Sequence, residues 1–241
     1  MSNLVIDRGN SSFKVAVFKD DELIKLFVSD SLTEEFLSEI IDAYSIKAGI
    51  LSTVVSINPS VIEFLHNKLL SFYELTNKLT TPLIIDYKTP ESLGMDRLAA
   101  AVGAYSLRKG QDLLIIDAGT AITIDYVSAG GVYKGGNISP GVDLRFKALN
   151  SYTDKLPLVT EDGDIPCFGY NTETAIRSGV IGGIVRELDS YIDEYKKNKN
   201  VFAFLTGGCS FYFDSKLKNR IFADGNLVLK GLNEILNYQY D

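Results

Sequence analysis

A pattern that occurs twice constrains this chain more than any other feature. Residues Leu4-Val5-Ile6-Asp7-Arg8-Gly9-Asn10-Ser11-Ser12-Phe13-Lys14-Val15-Ala16-Val17-Phe18 give an apolar run, an acid, one residue, a glycine, small polar side chains and a returning strand. The same grammar recurs in Leu113-Leu114-Ile115-Ile116-Asp117-Ala118-Gly119-Thr120-Ala121-Ile122-Thr123-Ile124-Asp125-Tyr126-Val127. A continuous apolar run followed by a second strand-forming run predicts a buried strand folding back into a hairpin partner. Asp7 and Asp117 then stand where a strand ends, and Gly9 and Gly119 let the backbone turn sharply and approach a ligand. A single Asp-x-Gly is commonly no more than a turn, but two in equivalent places argue for a shared use. Such a turn offers N–H groups and a hydroxyl or amide to phosphate oxygens, while its acid can hold a cation or a water bound to one.

Around the pair, the element order repeats as well. Strands are predicted over 3–8, 13–19 and 23–29, then a helix within 31–43 that starts at Thr33 with Glu34 and Glu35 behind it. A strand over 47–53, a helix from Pro59, a strand over 83–87 and a helix over 95–107 complete the first round. The second round has strands over 113–117, 121–127 and 131–138 and a helix after Pro140-Gly141. A long helix over 172–196 places Ile176, Val180, Ile184, Leu188 and Ile192 at intervals of four. A buried strand over 201–205 and a helix over 226–238 end it. The order predicts an internal duplication: α/β lobes over 1–111 and 112–241, a mixed sheet in each, and a cleft between the Asp7 and Asp117 turns.

Charge and composition exclude several function classes. With 24 Lys plus Arg against 31 Asp plus Glu, the net charge of −7 has the wrong sign for attraction to a phosphate backbone, so no nucleic-acid partner is expected. The chain runs from Met1-Ser2-Asn3 directly into a strand and has no apolar run of membrane-spanning length, which predicts a soluble, cytoplasmic protein without a membrane partner. Cys167, Cys209 and the single His66 are too few and too scattered for a Cys/His zinc site, and free thiols fit a reducing compartment. His66 sits in a helical pattern with no nucleophile signature beside it, which removes a Ser-His-Asp triad.

The glycine loops GxxxxGK[ST] and GxGxxG are both absent, so a nucleotide would be gripped by paired hairpin turns. Thr206-Gly207-Gly208 follows a buried strand and precedes a helical stretch, where ligands sit in α/β sheets, although a tight helix start reads the same way. Taken together, Asp7-x-Gly9-Asn10, Asp117-x-Gly119-Thr120 and Thr206-Gly207-Gly208 resemble the two phosphate motifs and the adenosine motif of the acetate and sugar kinase, Hsp70 and actin superfamily. Four further motifs resemble those of the type III pantothenate kinases in order and spacing: Gly94-Met95-Asp96-Arg97, Gly135-Gly136-Asn137-Ile138-Ser139-Pro140-Gly141, Leu156-Pro157, and Gly169-Tyr170-Asn171-Thr172-x-x-Ala175-Ile176-x-Ser178-Gly179.

That resemblance implies duplicated actin/Hsp70-like, ribonuclease H-like lobes and phosphorylation of the primary hydroxyl of pantothenate by ATP with Mg2+, the first step toward coenzyme A. It further implies a nucleotide loop of Asp7, Arg8, Gly9, Asn10, Ser11, Ser12, Phe13 and Lys14, completed by Thr120, Gly207 and Gly208. Asp117 would bind a monovalent cation, K+ or NH4+. Tyr87, Gly94, Met95, Asp96, Arg97 and Thr172 would line the pantothenate pocket, Asp96 being the proton acceptor, in a homodimer with that pocket near the subunit interface. On the residues alone, Asp96 serves equally as a cap of the 95–107 helix, and Arg97 as a surface charge or a fork for a carboxylate. Arg8 stands where relatives are expected to carry a smaller or apolar residue. Two other functions share these phosphate turns: a nucleotide-binding accessory or regulatory protein, which has no use for an acceptor pocket, and a kinase for a sugar or another small hydroxylated acid.

Overall fold

The computed structural model describes residues 2–9, 12–53, 55–197 and 199–240. Two compact units divide them: Met1–Gly110 with Val127–Gly135 and Asn226–Asp241, and Gln111–Tyr126 with Gly136–Gly225. The segments 127–135 and 226–241, expected in the second lobe, are thus grouped with the first.

In the first unit β1 (Ser2–Arg8), β2 (Phe13–Lys19) and β3 (Glu22–Ser29) form a meander, and β4 (Ala48–Thr53) and β5 (Ser71–Glu74) extend it in the order β3-β2-β1-β4-β5. Pairing is antiparallel for β1/β2 and β2/β3 and parallel for β1/β4 and β4/β5. Side chains alternate along β1. Leu4 and Ile6 join Val15, Val17 and Leu51 in a core with Leu37, Ile40 and Ile41 of α1 (Glu34–Ala43) and Val61 and Leu65 of α2 (Pro59–Lys68). Helix α1 starts as expected, the Thr33 hydroxyl accepting from the Phe36 N–H at 3.2 Å.

Asn3, Val5 and Asp7 alternate to the opposite face, which α3 (Met95–Leu107) and α7 (Leu227–Asn237) cover. Asn3 Nδ2 donates to Asn233 Oδ1 at 2.8 Å, tying α7 to the middle of the sheet. The two helices approach through glycines: a Cβ on Gly231 would lie 1.8 Å from the Ala99 carbonyl oxygen, and one on Gly103 2.3 Å from that of Leu227. Gly231→Ala must push the helices apart, and overpacking of that kind costs about 1–3 kcal/mol or more. We therefore expect a clearly lower urea midpoint for this variant, read by circular dichroism. An unchanged midpoint would show that α7 tolerates displacement.

The second unit repeats the sheet order. β7 (Asp112–Ala118), β8 (Ala121–Val127) and β9 (Val132–Pro140) are neighbours joined by short turns, and β10 (Val201–Thr206) and β11 (Phe222–Ala223) continue from β7 in parallel. Counted from the acid-bearing strand, the first sheet and five strands of the second read third, second, first, fourth, fifth, and the second sheet carries a sixth strand beyond β9. Its core joins Leu114, Ile116, Ile122 and Ile124 to Val142 and Phe146 of α4 (Val142–Ser151) and to Ile176, Val180, Ile184, Leu188 and Ile192 of α5 (Thr172–Lys196). The stripe at intervals of four along α5 is thus its buried face. The helix expected after Gly208 is a short one, α6 (Ser210–Asp214).

Two strands escaped the sequence reading, β5 and β11, and the strand expected over 83–87 shrinks to β6 (Ile84–Ile85), which pairs in parallel with Val132 and Tyr133. His66 is half exposed, packs edge-on against Phe72 and has the Glu74 carboxylate 4.0 Å from its Nε2. Cys167 and Cys209 are free. Among the described residues no helix is long and apolar enough to cross a membrane.

Candidate active site

In the first unit the β1 turn and the start of α3 come together. Asp7 is the penultimate residue of β1, on the face covered by α3 and α7, and Lys14 is its cross-strand partner on β2. Burial pushes the Asp7 carboxyl up to about 6; the Lys14 ammonium opposes that rise and the Asp96 carboxylate adds to it. Two acids distant in sequence are therefore near enough to feel each other's charge. Ser52 lies beside Asp7 in the parallel register of β4; its side chain is 1% exposed and its hydroxyl has no hydrogen-bond partner among the described residues. No sequence signal singles Ser52 out, because a buried strand serine is ordinary until its neighbours are known.

Of the remaining loop residues, Gly9 has open space where a Cβ would stand, so its bareness is not demanded by packing and leaves room for a ligand. Arg8 alternates away from Asp7, its guanidinium 4.4 Å from the Phe13 ring centre with Nη1 buried and without a hydrogen-bond partner among the described residues. Ser12 and Lys14 are half-buried at the start of β2. Asn10 and Ser11 lie outside the described residues.

The turn into α3 is built by Gly94, its N-cap, which supplies no side-chain cap. Asp96 is not the cap residue but sits in the first helical turn, its Oδ1 accepting the Arg97 N–H at 2.8 Å. A Cβ on Gly94 would lie 2.6 Å from that oxygen, so the glycine lets the carboxylate fold back over the helix start. Asp96 Oδ1 is thus engaged at the first turn of α3. Arg97 is buried, not a surface charge, and its guanidinium carbon lies 6.0 Å from the Tyr87 ring centre. Met95 is the first residue of α3. Asp7, Lys14, Tyr87, Asp96 and Arg97 therefore belong to one unit.

The second unit gathers the other set. Asp117 and Thr206 are neighbours in the parallel β7/β10 register, and the Cys209 N–H donates to the Ala118 carbonyl at 3.0 Å. Gly207 has φ +93, and a Cβ there would lie 2.4 Å from Asp117 Oδ1, so only glycine lets the loop pass over this acid. Gly208 faces open space. The Gly141 N–H donates to the Thr120 carbonyl at 3.0 Å and holds the second turn from beneath, while the Thr120 side chain is exposed. Burial raises the Cys209 thiol, with Glu161, Asp143 and Asp117 adding to the effect, so this cysteine is a poor nucleophile. Thr172 is exposed in the first turn of α5 behind an Asn171 cap, on the rim of an apolar groove lined by Arg145, Leu149, Leu156, Ile176 and Val180.

Among the described residues no cluster of three or more His, Cys, Asp or Glu could hold a metal unaided. Isolated acids at glycine turns do fit a magnesium ion that keeps waters and takes phosphate oxygens as ligands, the usual habit of that ion.

Comparison with known proteins decides between the readings. Residues 3–194 match the family described as type III pantothenate kinase. A type III pantothenate kinase of Azobacteroides pseudotrichonymphae is 52% identical over 236 residues, 98% of this chain and 96% of that protein. The chain belongs to the type III pantothenate kinase family. A second family member, from Phocaeicola vulgatus, is 48% identical over 98% of both chains. Among solved structures, the hexokinase of the ROK group from Thermus thermophilus superposes with a TM-score of 0.57 at 12% identity over the full length of both chains. A Campylobacter jejuni protein named for the Baf family of transcriptional activators gives 0.62 at 23%, over 98% of each. These likenesses speak to fold alone, and they bear out the duplicated actin-like lobes. A type III kinase must present a nucleotide grip and an acceptor grip, and the two glycine-turn clusters supply candidates for both.

Proposed function

We infer that this chain transfers the γ-phosphoryl group of ATP to the primary hydroxyl of pantothenate, giving 4'-phosphopantothenate and ADP, the first step of coenzyme A biosynthesis. The full-length match to the type III pantothenate kinases carries the reading, and the Asp96-Arg97 turn beside Asp7 supports it. A new bond forms from the acceptor oxygen to the γ-phosphorus as the bridging bond to ADP breaks, and the hydroxyl proton goes to Asp96 Oδ2. Phosphoryl transfer runs through a loose transition state, so placement and charge neutralisation supply most of the acceleration. Asp96 aims the hydroxyl and takes its proton late; the carboxylate needs position more than basicity. Arg97 and Tyr87 receive the acceptor with Gly94 and Met95, and Thr172 contributes a hydroxyl to it.

On the nucleotide side, Asp7 to Lys14 form the first phosphate loop, Thr120 the second, and Gly207 and Gly208 the seat of the adenosine. The buried, unpartnered Nη1 of Arg8 has the capacity to take an anion. Magnesium, when bound to the phosphates, offsets their charge. Asp117 is the proposed ligand of K+ or NH4+, favoured by its place under the glycine loop. Division of labour then follows the two units: acceptor turn and first loop in the one that holds residues 1–110, second loop and adenosine seat in the one that holds 111–126 and 136–225.

We also assign a homodimer. Phe168 is 88% exposed and Tyr152 89%, Leu158 and Tyr170 are exposed as well, and Gly179 and Gly183 leave α5 smooth, with open space at their Cβ positions. Such a surface suits a second copy of the chain. The free thiols suit the cytoplasm.

The test is a coupled ADP-release assay with purified protein, ATP and magnesium, run with and without pantothenate and with potassium or sodium. Turnover that needs pantothenate and potassium is expected. ADP release indifferent to pantothenate would remove the acceptor assignment, and equal rates in the two salts would remove the cation at Asp117.

A further inference from the structure

The acceptor pocket depends on how Tyr87 is held, and its seat is an absent side chain. Tyr87 follows β6, whose backbone is zipped to β9: the Ile84 N–H donates to the Gly131 carbonyl and the Asp86 N–H to the Tyr133 carbonyl, both at 2.9 Å. The Asp86 carboxylate and Lys134 Nζ, 2.6 Å apart, reinforce the same junction. The ring of Tyr87 is thereby carried over Gly135. A Cβ at Gly135 would stand 3.0 Å from both Cδ2 and Cε2 of that ring. Tyr133, fully buried and edge-on to Tyr87 with ring centres 6.2 Å apart, packs against the same ring. Gly135 itself has φ +91, a conformation that L side chains seldom adopt.

We propose that Gly135 is a positioning residue for the acceptor: its missing side chain seats the Tyr87 ring and so sets the spacing between that ring and the Arg97 guanidinium, 6.0 Å away. Ordinary carbon contacts begin near 3.5 Å, so a methyl at this position displaces the ring by about half an ångström. A pocket that fits a small hydroxylated acid against a ring and a cation loses complementarity when the two are moved relative to each other. The nucleotide grip is spared, because among the described residues beyond its chain neighbours only Tyr87 lies within 4 Å of a Cβ at Gly135.

This inference rests on the reading of Tyr87 as an acceptor-pocket residue, and the test separates the two. Steady-state kinetics on the full chain would compare wild type, Gly135→Ala, Tyr87→Ala and the double variant. Gly135→Ala should raise the KM for pantothenate about tenfold, a misplacement of this size costing less than the 10²-fold seen for about 1 Å. Its kcat and its KM for ATP should stay within about threefold of wild type. In the Tyr87→Ala background the same substitution should change the pantothenate KM by less than about twofold, since coupled residues lose their interaction together.

An unchanged pantothenate KM in Gly135→Ala, or an equal further rise in the Tyr87→Ala background, overturns the proposal, the latter by pointing to backbone strain. If Tyr87→Ala leaves the pantothenate KM unaltered, the pocket reading itself falls and the proposal with it. Gly135→Asn guards against misfolding, because asparagine tolerates positive φ while still carrying the Cβ. Should both Gly135 variants fail to fold, the glycine serves the fold and the proposal is overturned.

Discussion

Replacing Asp96 by asparagine should lower kcat by about 10²- to 10⁴-fold, the range that a positioned acid or base supplies, while the KM values for ATP and pantothenate move little. The amide keeps the size of the carboxylate, and its oxygen can still accept the Arg97 N–H that Asp96 Oδ1 takes at 2.8 Å. It cannot take the hydroxyl proton. The same substitution discriminates catalysis from capping. If the carboxylate merely favours the start of α3, its loss costs about 0.3–1 kcal/mol of stability and leaves turnover intact. ADP release with pantothenate and urea unfolding on the same preparation distinguish the two. A variant that is destabilised but fully active would return Asp96 to the helix.

Much of this arrangement was legible in the residues, and the parts that were not have a common cause. Asp7-x-Gly9 and Asp117-x-Gly119 announce strand ends because the apolar runs before them are unbroken. The stripe from Ile176 to Ile192 announces α5 because one helical face must be buried. β5 and β11 were missed because Ser71–Glu74 and Phe222–Ala223 are too short to show a period, and they are strands only because β4 and β10 offer an edge. Residues 83–87 look like a longer strand than they are: pairing with β9 stops as the chain lifts Tyr87 over Gly135. The helix ending the chain is plain from its apolar spacing, yet nothing local says that Gly231 meets Ala99 and draws that helix into the first unit. The site follows the same rule. Its turns carry local signatures, whereas the nearness of Asp96 to Asp7, the orphan hydroxyl of Ser52 and the seat of Tyr87 arise from contacts between segments far apart in sequence.

Asp7 carries the other large expectation, because its charge is costly to the fold and the proposed phosphate-loop role needs that charge for turnover. A carboxyl whose folded pKa is raised from 3.8 to about 6 is held more tightly protonated in the native chain than in the unfolded one. Its contribution to stability is therefore intact below about pH 4, declines as pH rises through the interval to about 6, and is flat above it. At about 1.4 kcal/mol per pKa unit, the ionised Asp7 costs at most about 3 kcal/mol at neutral pH, and its half-buried position makes the real figure smaller. Lys14 on β2 moderates the cost and Asp96 on α3 increases it. Asp7→Asn should consequently unfold at higher urea than wild type at pH 8. That advantage should shrink steadily toward pH 4, where the wild-type carboxyl is protonated too. The same variant should lose nearly all pantothenate-dependent ADP release, since a neutral amide at the first phosphate loop cannot balance the magnesium that accompanies the phosphates. A stability difference that stays constant from pH 4 to 8 would show that Asp7 is not a buried charge held at a cost. Undiminished turnover would remove it from the phosphate loop. Both effects together are what a site does when it keeps an unfavourable charge for the ligand it binds.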